Sequence, residues 1–415
     1  MIAIFIITLL FFLLNINKNL LKNNYKILNP GSLMIYVWIF TIGAHAIYFP
    51  REEYSEILYV WIFVGVLFFL LGFWSFKNKI FRGWNKLNIE YNTDYMYKMI
   101  IILTIIEILR MVYMIMIIGR LSGSVFTVLS GSTWVRIQYL NRHMTIVQSI
   151  FEFITNSGAL IGYVLIGIYI AKKAKHFKKI LIIWTIFEVL YAVITMSKMC
   201  LILYVIVLGV TYLNNIGSAK KQKKVFMKYI PVLIIGLIAF LVLVANQRNY
   251  SATNGSMLET VFRKAIFYFS SGIEGLAKYM DLYGSDFEMG SNSFKVIYRI
   301  LARLRIFNDT SVLEHAEYID TIYETTNVYT WFRPFYLDYS YLGFIIIPFF
   351  IGIIVGVFYN DRIHNLFLEV CTSWMSALVM ISFYNFLWGQ TIYLFIFLEA
   401  YFMHKLLHKK IYVTC

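Results

Sequence analysis

"ILIIWTIFEVLYAVITMSKMCLILYVIVLGVTYL", residues 180–213, decides how the chain is read. These 34 mostly apolar positions lie between two lysine clusters, "KKAKHFKK" (172–179) and "KKQKKVFMK" (220–228). As one helix the stretch would run about 51 Å at 1.5 Å per residue, well beyond the roughly 30 Å of hydrocarbon in a bilayer. Basic clusters collect on the cytoplasmic side, so two flanking clusters on the same side require the segment to cross twice. The turn falls near "TMSK" (195–198), with Lys198 at the far interface, where its aliphatic stem can carry the ammonium to water.

The same rule orders the rest of the chain. A composition of 60% hydrophobic and only 14% charged residues, with mean hydropathy +0.70, excludes an ordinary soluble domain. "NKNLLKNNYK" (17–26), "KNKIFRGWNK" (77–86) and "HKLLHKK" (404–410) join the two lysine clusters on the inner side. The expected fold is an all-α, polytopic integral membrane helical bundle of about 11 transmembrane spans. They fall near residues 1–15, 31–49, 56–76, 96–118, 148–171, 180–196, 199–213, 230–246, 343–359, 368–385 and 388–404. The N-terminus is then outside and the C-terminus cytoplasmic. "MIAIFIITLLFFLL" lacks a basic n-region and a small-residue cleavage site, so it reads as a retained span. Three segments follow: a bundle over 1–246, one large extracytoplasmic loop over 247–342, and a bundle with cytoplasmic tail over 343–415.

The net charge of +15 is spread over short clusters between apolar segments, which is membrane topology and not a nucleic-acid surface. Cys200, Cys371 and Cys415 have no paired spacing and indicate neither a disulfide framework nor a thiolate metal site. The acidic pair Asp286 and Glu288 in "SDFEMG" is too loose for a metal site, and no glycine-rich nucleotide loop is present, so neither metal nor cofactor is expected.

The cations divide by type. Of 24 lysines, 19 lie in the inner clusters, whereas ten of 13 arginines (Arg51, Arg120, Arg136, Arg142, Arg248, Arg263, Arg299, Arg303, Arg305 and Arg333) fall in outer loops. Topology explains the lysines only. Arginine's planar fork matches phosphate, pyrophosphate or carboxylate two bonds at a time, which points to an anionic ligand at the outer face. Pairing with loop carboxylates or lipid head groups is the alternative for each arginine.

Within the outer loop, "SNSFKVIYRILARLRIF" (291–307) sets Phe294, Ile297, Leu301 and Leu304 at helical spacing, with Lys295, Arg299 and Arg303 on another face. It reads as an interfacial amphipathic helix, either a surface anchor or a presenter of guanidinium groups at phosphate depth. "MLETVFRKAIFYFSSGIEGLAKYMDLYG" (257–284) is a second helical candidate. At the loop exit, "NVYTWFRPFYLDYSYLG" (327–343) interleaves aromatic rings with Asn327, Arg333 and Asp338, and Pro334 is expected to block a continuous helix. An aromatic belt accounts for the rings. It does not require the amide, guanidinium and carboxylate, which together with the rings suit a lipid-linked sugar. Inside the spans, Glu107 and Arg110 share a face, as an ion pair locking the bundle or a polar floor to a cavity. Glu188 and Glu399 should point inward, and "GIIVG" (352–356) marks close helix packing.

Four features resemble the Wzy-type O-antigen or capsular oligosaccharide repeat-unit polymerases. They are "NPGSLMIYVWIF" (29–40), the hairpin "TMSKMCLILYVIVLGVTYL" (195–213), the large outer loop before the last three spans, and "TNVYTWFRPFYLDYSYLGFIIIPFFIGIIVG" (326–356). Lys198 stands where the resemblance leads one to expect arginine. The resemblance implies a glycosyltransferase of the bacterial inner membrane. Its substrate is an oligosaccharide on undecaprenyl pyrophosphate, its surroundings are membrane lipid, and a chain-length regulator is a candidate partner. The growing chain leaves its carrier and is transferred to the next repeat unit. On this reading Arg136, Arg248, Arg299, Arg303 and Arg333 bind pyrophosphate, and Asn327, Trp331 and Tyr336 hold sugar. Asp338, Glu324 or Glu317 takes the proton from the attacking hydroxyl. An O-antigen ligase-type transferase and a non-enzymatic flippase or transporter of lipid-linked sugars are the alternatives.

Overall fold

A computed structural model describes residues 1–21, 25–49, 53–76, 89–123, 145–195, 198–228, 257–285, 287–304, 306, 318–359, 365–389 and 391–414. Helices dominate them. The elements are α1 (Ile2–Leu21), α2 (Pro30–Tyr48), α3 (Glu53–Phe76), β1 (Ile89–Tyr91), α4 (Thr93–Ser122), α5 (Ile146–Ala171), α6 (Phe177–Ile194), α7 (Lys198–Asn215), α8 (Met257–Tyr283) and α9 (Lys295–Arg303), followed by β2 (Ile319–Asp320), β3 (Thr325–Thr326), α10 (Phe332–Tyr339), α11 (Gly343–Phe358), α12 (Leu366–Met380), α13 (Thr391–Ile411) and β4 (Tyr412–Thr414). The 180–213 stretch is two helices, α6 and α7, as its length requires.

Six helical runs among the described residues are long and apolar enough to cross a membrane: Ile2–Leu21, Pro30–Tyr48, Tyr54–Phe76, Thr93–Leu121, Ile146–Ala171 and Phe332–Phe358. Met199–Asn215 and Leu366–Met380 are apolar and shorter. The span expected at 230–246 lies outside the described residues. That expected at 368–385 stops at Met380, because the chain turns there through Ser382 N–H to Val379 O (3.1 Å) and Tyr384 N–H to Ile381 O (2.8 Å). The solvent these helices are built for shows on α4. Ile101, Ile102, Ile105, Ile108, Leu109, Val112 and Met116 form an exposed stripe at helical spacing, while Glu107 and Arg110 are buried. In water that arrangement would be inverted.

The chain forms two compact units that cut across the three topological segments. Unit 1 contains residues 1–86, 264–364 and 378–394, and unit 2 contains 87–263, 365–377 and 395–415. Unit 1 is organised by α3 against α11. Gly72 sits on the backbone of Phe349, Gly352 on that of Phe69, and a Cβ at Gly356 would lie 2.6 Å from the Phe73 carbonyl. Small residues allow this backbone approach, which takes the place of a hydrophobic driving force inside lipid. At one end, buried Asn17 of α1 ties three helices, donating to Asn29 Oδ1 (3.1 Å) and Ser32 Oγ (3.0 Å) and accepting from Trp74 Nε1 (2.9 Å). Asn29 caps α2 by accepting from Ser32 N–H at 2.9 Å, with Pro30 in the first turn, where its missing N–H is no loss.

In unit 2, α5 is buried along its length from Ser157 to Tyr169 and packs against α4 and α7. It starts in a capping box between Thr145 and Gln148. Strand β1 pairs antiparallel with β4, Ile89 opposite Thr414 and Tyr91 opposite Tyr412.

The charge rule that sets the topology predicts which surfaces face which compartment. In a background with Cys200, Cys371 and Cys415 replaced by serine, single cysteines at the exposed positions Lys224 and Tyr323 should be labelled from opposite sides by a membrane-impermeant maleimide. Labelling of both from one side overturns the topology.

Candidate functional site

The loop exit belongs to unit 1. Its path is fixed by two threonine turns, Val328 N–H to Thr326 Oγ1 (3.0 Å) and Phe332 N–H to Thr330 Oγ1 (3.2 Å), and by Trp331 N–H to the Ser382 carbonyl (2.8 Å). The segment lies directly on α8, where a Cβ at Gly275 would meet the Val328 carbonyl at 2.8 Å. Helix α10 then begins at Phe332. Pro334 falls in its first turn and does not interrupt it, contrary to expectation, because first-turn N–H groups need no intrahelical partner. The break comes later, at Ser340, whose φ of 51° and ψ of −142° separate α10 from α11.

This geometry sorts the aromatic rings. Trp331, Phe332 and Phe335 are fully buried: Phe332 stacks on Phe344 (centroids 4.8 Å) and contacts Trp38 (5.2 Å), and Phe335 meets Phe386 edge-on (5.0 Å). Trp331 is therefore core here. Tyr336 is buried with its ring edge-on to Tyr341. Tyr329 goes the other way and meets Tyr279 of α8 edge-on at 5.9 Å.

Arg333 lies against both of these tyrosines. Its Cζ is 4.1 Å from the Tyr329 ring centroid and 4.6 Å from that of Tyr279. It is only 7% exposed, and among the described residues its Nε and Nη2 have no hydrogen-bond partner. The rings hold the guanidinium by cation–π attraction and leave donors unspent. A buried, ionised donor edge without an acceptor is costly, and an anionic oxygen pair is its natural complement.

Asp338, one turn on, has its oxygens occupied. Oδ1 accepts from Asn292 N–H (3.0 Å) and Asn292 Nδ2 (3.0 Å), and Oδ2 from Ser293 N–H (2.6 Å). Glu288 reinforces this bracket, accepting from Ser291 Oγ (2.9 Å) and Asn292 Nδ2 (2.8 Å). Asp338 thus fastens α10 to the turn that leads into α9. Glu324 pairs with Lys264 beside the β2–β3 turn and is partly exposed, and Asn327 is exposed. Arg299 and Arg303 lie on α9, whose neighbours Phe294, Ile297 and Leu304 expose their apolar side chains. Glu317, Arg136 and Arg248 lie outside the described residues.

Sequence reasoning missed a second polar cluster in the same unit. In the last turn of α2, buried His45 places Nδ1 2.7 Å from Tyr59 Oη and Nε2 3.1 Å from Glu274 Oε2. Lys278 Nζ lies 3.8 Å from Glu274 Oε1 and donates to the Asp320 carbonyl at 3.4 Å. The only signal was a lone histidine in "TIGAHAIY" and a lone glutamate in "SSGIEGLAKY", 229 positions apart. Among the described residues no three His, Cys, Asp or Glu side chains are grouped to hold a metal. No family model, curated protein or solved structure matches the chain.

The occupied state of Asp338 gives a stability prediction. Asp338→Asn turns one acceptor toward Ser293 N–H into a donor and should destabilise the folded protein by about 1–3 kcal/mol. Thermal unfolding in detergent measures it, and an unchanged midpoint would remove Asp338 from the bracket.

Proposed function

We propose that this chain is a polymerase of oligosaccharide repeat units carried on undecaprenyl pyrophosphate, acting at the outer face of a bacterial inner membrane. The observation that carries the reading is Arg333, buried against Tyr279 and Tyr329 with Nε and Nη2 unspent. Three properties of a ligand follow from its surroundings. The guanidinium calls for an anion with paired oxygens, the apolar helices for a lipid carrier, and the exposed amide of Asn327 for a polar group such as a sugar hydroxyl. A polyprenyl-pyrophosphate-linked glycan has all three.

The transfer balances without a further reactant. The acceptor hydroxyl oxygen bonds to sugar C1 as the C1–O bond to pyrophosphate breaks, and that bond's electron pair leaves with the phosphate oxygen. Arg333 stabilises the charge growing on the leaving group, with Arg299 and Arg303 of the same unit as further candidates. The hydroxyl proton goes to a carboxylate. Of the three sequence candidates, Asp338 is committed to Asn292 and Ser293 and serves to hold α10 in place. Glu324 is the described one that a ligand can reach, and Glu317 is the third.

Deleting the gene in its host and resolving surface polysaccharide on a gel tests the class. Single-repeat products support a polymerase, and loss of all attached glycan supports the ligase or flippase alternatives instead. Within the polymerase reading, Arg333→Lys keeps the charge and the tyrosine contact but loses the fork. At matched expression it should lower polymer by about 10²-fold. Normal chain length from this variant overturns Arg333 as the pyrophosphate ligand.

A further inference from the structure

Unit 2 buries two carboxyls around one guanidinium. Arg110 Nη2 donates to Glu107 Oε1 at 2.7 Å and to Glu188 Oε1 at 2.8 Å, Nε donates to Glu107 Oε1 at 3.1 Å, and Nη1 to Asn156 Oδ1 at 3.2 Å. The three helices α4, α5 and α6 meet at this point. The Tyr191 ring centroid lies 3.9 Å from the guanidinium carbon. Glu107 is 1% exposed, Glu188 0% and Arg110 4%. Among the described residues the other titratable groups that interact with the cluster are the phenols of Tyr163, Tyr191 and Tyr204, and no second cation balances it.

The charge count is the difficulty. Fully ionised, two carboxylates and one guanidinium leave one net negative charge in helices of which α4 and α5 are apolar enough to cross a membrane. An uncompensated buried ion costs several kcal/mol. The hydrogen bonds show the same excess: among the described residues Glu107 Oε2 is buried without a partner, and besides Arg110 only the Tyr163 phenol reaches Glu188. An ionised carboxylate needs donors at both oxygens far more than a neutral carboxyl does.

We propose that Glu107, Arg110 and Glu188 form a proton-binding site inside unit 2, in which the two carboxyls share one proton and the cluster is electrically neutral. The ligand is the proton itself. This site is separate from the Arg333 site and does not rest on the function proposed above.

Infrared spectroscopy of the full-length protein in lipid vesicles tests it, reading the protonated-carboxyl stretch and its shift in D₂O at neutral pH. Glu107→Gln and Glu188→Gln should each remove the intensity of one carboxyl, because the glutamate left behind ionises against Arg110. Arg110→Gln should raise the intensity of the cluster about twofold, since both acids then hold protons. Size-exclusion profiles identify variants that remain folded. A wild-type spectrum without protonated-carboxyl intensity overturns the proposal with no variant needed, as does intensity undiminished from wild type in either folded glutamine variant.

Discussion

Inside hydrocarbon there is no water to satisfy a polar group, so each buried donor, acceptor or charge must find its partner within the chain. The structure is organised around that demand. Asn17 gathers Asn29, Ser32 and Trp74 at one end of α1, α2 and α3, and Arg110 gathers Glu107, Glu188 and Asn156 across α4, α5 and α6. Asp338 consumes the amide groups at Asn292 and Ser293. Between these ties the helices need only shape. The glycines of α3 and α11 supply it by letting backbone rest on backbone.

Against that background Arg333 is a buried cation met in a different way. Among the described residues its positive charge is met by ring faces and not by a carboxylate, so the guanidinium is held in place while Nε and Nη2 have no hydrogen-bond partner. Its position depends on neighbours that have other jobs. The threonine turns and the Trp331 link to Ser382 set where α10 starts, and Asp338 anchors the far side of the same helix. Two opposite settings of arginine thus coexist in one chain, one charge enclosed by acids and one held between tyrosine rings.

Helix existence was legible because the apolar runs and lysine clusters carry it directly, and the two-helix solution for 180–213 needed only length and charge. The inward direction of Glu107, Arg110 and Glu188 was legible for the same reason, since lipid will not solvate them. What escaped was tertiary. Trp331 looked like a stacking platform because it stands beside Arg333 in sequence, yet helix geometry turns neighbours to different faces and sends Trp331 into the core. Pro334 looked like a breaker because its position in the first helical turn could not be counted before the helix start was known. The His45 and Glu274 pair spans two distant helices, and no local pattern announces such a meeting.

The interleaving of the two units also sets an order of events during synthesis. Gly72 of α3 and its seat on α11 are 280 residues apart, and each unit takes its final segment from beyond residue 377. At about 5–20 residues per second, the close-packing face of α3 waits roughly 15–60 s in the membrane before its partner emerges. Small residues are what helix contacts in lipid are built on, so until α11 is made the surface around Gly65 and Gly72 is open to any other helix that can approach as closely.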